Sequence, residues 1–490
     1  MSINSQFKES RLVAVLVLSI AIAAIFIIPL KVMSHGYLPG DDALRHVGKV
    51  FSGKNWSEIL VIREGAAMYG HSGWHTLLEF VQKTTGWGPD NLIFFSVVFL
   101  FILFCAIPLT ALSRPEAWLI TLLVIVLTNL TFITRLFFGR PYIFTMAVVL
   151  FMGFFWKPFE DRKFPYKTAL VLTILIALST WIHSSWYLFT LPIACFFLAG
   201  RWRAGFRIGI LTLLGVVIGA ILIGEPYPFL KQTICDTLYC LNSGSVRRML
   251  VSELQPFSGN TLMVIVIAGM LVWRGMRGGR NKNESVLRNP VFMLMMLGWV
   301  LGFSAHRFWL DWGMPAACIW MAQEFNDALE EKIKAQSVER VLLSLAVAGV
   351  LFIAVTNDIN SRWTRNLSTE YLSLDNPNQR GWLPNEGGII YSSDMKIFYD
   401  TFYKNPRANW RYILGPEATL MPAEDLAILR NIQWNFGASN AFRAWVRKMK
   451  PADRLIVRGG KHDRPDMPEL EWYYAATGIW IGRLPRDAKN

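Results

Sequence analysis

Charge is scarce in this chain. Asp, Glu, Lys and Arg make up 17% of its 490 residues and hydrophobic residues 53%, whereas a soluble domain is about 25% charged. A large soluble globular protein is excluded. Cysteine is rare too, at five residues, and no Cys/His spacing of the zinc type occurs, which excludes a disulfide-stapled scaffold and a zinc module. Cys105, Cys195 and Cys318 fall in apolar stretches, where a thiol acts as a small hydrophobe. Cys235 and Cys240 share a polar stretch and could pair in an oxidising compartment. No basic patch is interleaved with aromatics, so the net charge of +14 gives no reason to expect nucleic acid as a partner. Internal repeats and low-complexity tracts are missing. So is a small-x-small cleavage site after the first apolar run, which is expected to remain as a span.

What the chain has is apolar length. Eleven candidate spans lie at about 12–33, 91–113, 117–134, 140–156, 167–183, 185–199, 207–224, 259–274, 291–305, 311–326 and 339–356. A bilayer core takes roughly 17–25 residues of helix. The fold class expected is therefore an α-helical polytopic membrane protein of about eleven transmembrane helices over residues 1–356. Its connections alternate. "KPFEDRKFPYK", "GRWRAGFR", "WRGMRGGRNKNESVLRNP" and "EEKIKAQSVER" are basic and are assigned to the cytoplasm with the N-terminus. The loops 34–90 and 225–258, three short turns and the tail then face outward. All seven histidines fall on that outer side: His35, His46, His71, His75, His183, His306 and His462.

From about residue 357 the pattern changes to that of a small extracytoplasmic α/β domain, 357–490. "GGIIYSSD", "WRYILG", "RLIVRG" and "GIWIGRL" have the composition of strands, and "MKIFYDTFYKN", "MPAEDLAILRNIQ" and "NAFRAWVRKMK" that of amphipathic helices.

The first outer loop opens with "YLPGDDALRHVGKVF". Acids at a helix start ordinarily cap free amides and meet the helix dipole. Here, however, Asp41 and Asp42 sit at the bilayer edge with Arg45 and His46 on the same helix, and His71 and His75 follow in "YGHSGWHTLLEF". Ionisable groups at membrane depth are costly and point to function. Adjacent carboxylates also couple, so one holds its proton more tightly, which suits a general base or a metal ligand. Other outer turns add Arg135 and Arg140 in "TRLFFGRPYIF", His183 in "WIHSSWYLF", and His306, Arg307 and Asp311 in "SAHRFWLDWGMP". Arginines at span ends often snorkel to headgroups, the ordinary reading for Arg135. The loop 225–258 adds Arg247, Arg248 and Glu253. If the spans bundle, acids and cations converge at the lipid boundary, a site suited to a phosphorylated lipid with a greasy tail.

At these residues the chain resembles the GT-C superfamily of membrane glycosyltransferases, which includes oligosaccharyltransferase catalytic subunits, protein mannosyltransferases and aminoarabinose lipid A transferases. "PGDDALRHVGKVFSGKNW" is similar to the acidic opening of the first large outer loop in a group of bacterial members, and "YGHSGWHTLLE" is loosely similar to a later segment. "FFGRPYIF" departs from them, with Pro141–Tyr142 where they have a polar pair after "GR". The resemblance implies a polyprenyl phosphate- or pyrophosphate-linked sugar donor, a glycan, lipid or protein acceptor, an inverting reaction at the outer face and a bacterial inner membrane. It makes Asp41 or Asp42 the base, with Asp41 favoured. The other acid would orient the acceptor or bind a divalent cation such as magnesium or manganese. Arg140, His306 and Arg307 would neutralise the leaving phosphate, with Asp311 orienting one of them. Arg45, His46, His71, His75 and His183 complete the substrate-binding set. The competing classes are a transporter or flippase for lipid-linked saccharides and a non-catalytic membrane scaffold. A transporter would be expected to carry ionisable groups deep in its spans and repeat symmetry, and the chain has neither.

Overall fold

The computed structural model describes residues 3–67, 70–242, 254–277, 285–476 and 478–485. Helices dominate it. Leu12–Ser34, Pro89–Ala111, Trp202–Ile223 and Val338–Thr356 are long and apolar enough to cross a bilayer, and a fifth span arises if Pro115–Thr128 and Leu130–Leu136, bent by 117°, count as one. The chain is a multi-pass membrane protein. Each of the eleven expected spans coincides with a helix, yet among the described residues only these four or five meet both length and apolarity. Tyr142–Phe155, Tyr166–Ile182, Trp186–Leu198 and Pro290–Gly302 are apolar but shorter. A helix of fourteen residues such as Tyr142–Phe155 is about 21 Å long, less than the roughly 30 Å of a hydrocarbon core. It is buried on nearly every side by its neighbours. Arg247, Arg248 and Glu253 lie outside the described residues.

Two local breaks in the helices turn polar side chains inward. At Asn129 the backbone leaves the helical region, and its side chain accepts a hydrogen bond from Phe132 N at 3.1 Å, capping the second half of the bent pair. That half carries Arg135 into the interior, where it is only 2% exposed. The expected hairpin turn at "HRFWLDWG" is instead continuous helix: one turn over His306–Phe308, a π-helical run over Trp309–Gly313, then Met314–Lys332. The wide run turns Asp311 inward, as π-bulges often do at functional sites. Cys235 is a free, exposed thiol. The side chain of Cys240, its expected partner, lies outside the described residues.

The tail forms one mixed sheet of order β2-β1-β3-β5-β4. Its strands are β1 (Ile389–Tyr391), β2 (Arg411–Tyr412), β3 (Arg454–Arg458), β4 (Glu471–Ala476) and β5 (Ile479–Arg483). β1 pairs in parallel with β2 and β3, and β5 pairs antiparallel with β3 and β4. The helices Met395–Lys404, Ala423–Trp434 and Ser439–Val446 fall where amphipathic helices are expected. β4 is the strand the sequence pattern does not announce.

This sheet is welded to the first loop. Leu60 bridges Tyr412 in parallel, Val61 N donates to Tyr412 O at 2.9 Å, and Arg63 N donates to Leu420 O at 2.8 Å. The Lys54 ammonium donates to the carbonyl of Ala408 at 2.6 Å. The helix Asp42–Ser52 lies against Met395–Lys404 so closely that a Cβ on Gly48 would sit 3.0 Å from the Phe402 ring and 3.4 Å from its carbonyl oxygen. Gly48→Val should therefore separate the two helices at a cost of about 1–3 kcal/mol. The expected result is a lower unfolding temperature and faster protease cleavage within 357–490; an unchanged cleavage pattern would show that this contact does not hold the tail.

Candidate active site

Pro39 and Gly40 end the first span's exit loop, and Asp41 takes the N-cap position of Asp42–Ser52 without making a capping bond. Its carboxylate goes elsewhere: Arg140 donates to Asp41 Oδ2 from Nη2 at 2.7 Å and from Nε at 3.2 Å. The approach depends on Gly139, which has φ +62° and where a Cβ would sit 3.2 Å from Val97 and 3.4 Å from Ala43. A side chain there would be both strained and crowded. Arg140 also lies 3.8 Å from Asp42, and Arg45 Nε donates to Asp42 Oδ1 at 2.7 Å. Burial by itself would raise the Asp42 carboxyl, but Arg45 and Arg140 hold it well below the usual carboxylate range.

These groups line a cavity of about 710 Å³. The sequence-predicted residues on its wall are Asp41, Asp42, Arg45, His71, Arg140, His183 and Arg307. Leu188, Leu191, Leu301, Phe308 and Trp312 line it too, together with Arg307. There Arg307 Nε donates to Asp311 Oδ2 at 2.8 Å, while Arg135 donates to Asp311 Oδ1 from Nη2 at 2.7 Å and from Nε at 3.0 Å. Asp311 is thus a buried clasp behind the wall rather than a wall residue. Arg135 does not snorkel: it is held by this ion pair and lies 4.2 Å over the Tyr142 ring. Arg307 Nη2 is 3.3 Å from His183 Nε2. A guanidinium only donates, so His183 Nε2 accepts, leaving its Nδ1 as the N–H that faces Thr145 Oγ1 at 3.5 Å.

The two ion-paired clusters differ in charge. Around Asp311, two arginines meet one aspartate, an excess of one positive charge. Around Asp41, Arg45 and Arg140 face Asp41, Asp42 and the wall residue Glu417, an excess of one negative charge.

Three expected substrate-binding histidines are not on the wall. His46 and His75 are buried behind it, with His46 Nδ1 3.0 Å from His75 Nε2. On the Asp42–Ser52 helix, His46 follows Arg45 by one residue and so points about 100° away. His306 stacks on Phe257 at 5.3 Å and donates its backbone N–H to Gln255 O. His71 does reach the cavity, from a left-handed backbone at φ +71°, a strained conformation for a non-glycine residue that clusters at functional sites. Residues the sequence did not single out also line the wall: Tyr142, Gln232, Thr233 and, from the tail, Met395, Tyr399, Glu417 and Thr419.

A resident magnesium or manganese ion does not suit these side chains. Among the described residues no three His, Cys, Asp or Glu groups gather as ligands, and both aspartates expected to hold one are engaged by arginines. The cationic groups of the site are guanidiniums.

Burial, reinforced by Arg45, keeps His46 and His71 well below the usual imidazole range, and burial with His71 and Arg45 does the same for His75. In the unfolded chain they take up protons near pH 6.5. Folding therefore excludes protons. The stability this contributes is complete above about pH 6.5 and is lost as pH falls, at about 1.4 kcal/mol per pH unit for each histidine. The unfolding temperature should drop between pH 7 and pH 5, and His46→Gln should shrink that drop. An equal slope in wild type and variant would show that His46 does not contribute to it.

No family model matches the chain, and no curated protein matches it. Among solved structures it is similar to the single-particle cryo-EM structure of arabinofuranosyltransferase AftD from mycobacteria. The TM-score is 0.53 at 13% identity, over 96% of this chain and 40% of that one. The chain thus spans less than half the length of that protein, and at such identity the likeness is one of fold. Over 96% of its length the chain shares the fold of the matching part of that structure.

Proposed function

We propose that the chain is a membrane glycosyltransferase that moves a sugar from a polyprenyl-phosphate-linked donor to a glycan, lipid or protein acceptor, with inversion. The observation that carries this reading is the pair of ion-paired clusters on one cavity: one with an excess of carboxylates at Asp41 and Asp42, the other with an excess cation at Arg307, in a cavity that apolar side chains also line. The donor's tail would lie along Leu188, Leu191 and Leu301, with its phosphate at Arg307. An aspartate of the other cluster takes the proton of the acceptor hydroxyl as its oxygen bonds to the anomeric carbon. The bond from that carbon to the phosphate oxygen breaks, and the phosphate leaves with the electron pair. Arg307, held by Asp311 and His183, stabilises the charge that grows there. Asp41 is the better base, because Asp42 is held too low to accept a proton readily near neutral pH. Asp42 then orients Arg45 and the acceptor.

Eleven spans, a cytoplasmic N-terminus and a periplasmic tail domain in a bacterial inner membrane complete the proposal, supported by the basic loops. A fixed acid-and-cation pair around one cavity favours chemistry over a flippase or scaffold.

Purified protein given a labelled polyprenyl-phosphate sugar should transfer the label. Asp41→Asn should lower the rate by about 10²–10⁴-fold, the scale of a lost general base, and Arg307→Ala should lower it as well. Full transfer by both Asp41→Asn and Asp42→Asn variants would sink the assignment.

A further inference from the structure

We propose that the C-terminal domain completes a sugar-binding subsite in which Arg45, Tyr399 and Glu417 read the hydroxyls of the acceptor. That the sugar is the acceptor rests on the transferase reading; the subsite itself rests on geometry and charge.

The cavity has a wall that the membrane helices do not supply. Tyr399, in the first turns of Met395–Lys404, and the segment from Pro416 to Thr419 come from the tail and line the cavity with Asp41 and Asp42. Tyr399 is buried, whereas Glu417 is exposed and sits at the mouth. Arg45 lies deeper, 3% exposed. Its Nε is spent on Asp42, but its Nη1 has no hydrogen-bond partner among the described residues. A buried N–H left unmade costs about 1–3 kcal/mol, so this guanidinium is built to receive an oxygen that the folded chain does not provide.

The charge around that N–H decides which oxygen. Burial disfavours the Arg45 charge, and Asp42, with Glu417 among the lesser contributors, restores it. With Asp41 and Asp42 nearby as well, a phosphate or carboxylate would meet three carboxylates against two arginines and be repelled. A neutral hydroxyl is not repelled: it accepts from Arg45 Nη1 while donating to a carboxylate. Burial and the adjacent Asp42 charge push the Tyr399 phenol far up, so it remains a donor at any physiological pH. A cationic donor, a phenol donor and an anionic acceptor, with the apolar side chain of Met395 beside them, match a ring that carries several hydroxyls on one face and C–H groups on the other. An extended peptide asks for a row of backbone partners, and these are all side chains. The subsite is therefore assigned to a saccharide.

The test uses the full-length protein in nanodiscs and saturation-transfer NMR. The probes are methyl glycosides of common hexoses and pentoses, their disaccharides, and a blocked hexapeptide. At least one sugar should bind wild type, and its affinity should fall about tenfold in Glu417→Gln and in Tyr399→Phe, with unfolding temperatures checked to exclude misfolding. Binding of the peptide in place of the sugars, no sugar bound at all, or sugar affinity indifferent to both substitutions would each overturn the proposal. Binding of polyprenyl phosphate is followed on the same samples and should fall in Arg307→Ala. Sugar binding that responds to Glu417→Gln and Tyr399→Phe while polyprenyl phosphate fails to bind would uphold the subsite and remove the donor reading instead.

Discussion

The ion pair between Asp41 and Arg140 is the constraint on which the site depends. It ties the start of the first large loop to the start of the helix Tyr142–Phe155, 99 residues further along. Asp41 could have capped its own helix and instead reaches across to that arginine. The contact is possible only because Gly139 brings the backbone against Ala43 and Val97. Once made, it sets the position of the whole Asp42–Ser52 helix. Arg45 then faces the cavity, His46 faces the interior, and Gly48 offers the flat surface on which the tail's Met395–Lys404 helix lies. One polar contact thus orders a helical bundle, a loop and the C-terminal sheet around the same space.

The second fixed point is the chain Arg135–Asp311–Arg307–His183. Taking one partner from a buried ion pair leaves a bare charge at a cost of about 3–5 kcal/mol, so each member holds the next in place. Asn129 and the π-helical run at Trp309–Gly313 are what bring these residues together: one bends Arg135 inward and the other rotates Asp311 to meet it. The neutral histidines fill the space between the two fixed points. His71 stacks on His183 at 5.3 Å and meets His46 edge-on at 4.8 Å. Imidazoles kept uncharged supply packing and directed hydrogen bonds without disturbing the charge difference between the two clusters.

How far the sequence announced this depends on what each residue costs. Asp41, Asp42, Arg140, His183 and Arg307 stand out because ionisable groups beside apolar runs are expensive, and the structure gathers all five on one wall. His46, His75 and His306 looked equivalent to them by the same measure. What separates them is helix phase and tertiary packing, as with His46 one residue past Arg45, and neither can be read from composition. Tyr399 and Glu417 were invisible for the opposite reason: a tyrosine on an amphipathic helix and a glutamate in a loop are ordinary in a soluble domain. They become part of the cavity only because the tail docks where it does. Strand β4 was likewise hidden, since "EWYYAA" pairs, among the described residues, only through β5.

The division of charge also explains why the two clusters must belong to one rigid body. In a displacement of the kind proposed, negative charge leaves the acceptor oxygen and arrives on the phosphate. A site with an excess negative charge at the first place and an excess positive charge at the second favours that movement in advance, without waiting for solvent to reorganise. The benefit survives only if the clusters neither approach and neutralise each other nor drift apart. Approach is resisted because every charge already has a buried or half-buried partner in its own cluster: Asp41 with Arg140, Asp42 with Arg45, Arg307 with Asp311. Drift is resisted because Tyr142 begins the helix just after Arg140 while its ring lies under Arg135 and its hydroxyl donates to the Arg135 carbonyl oxygen at 3.3 Å. A single tyrosine therefore spans both clusters, and it occupies the very position at which this chain departs from the polar pair of the proteins it resembles.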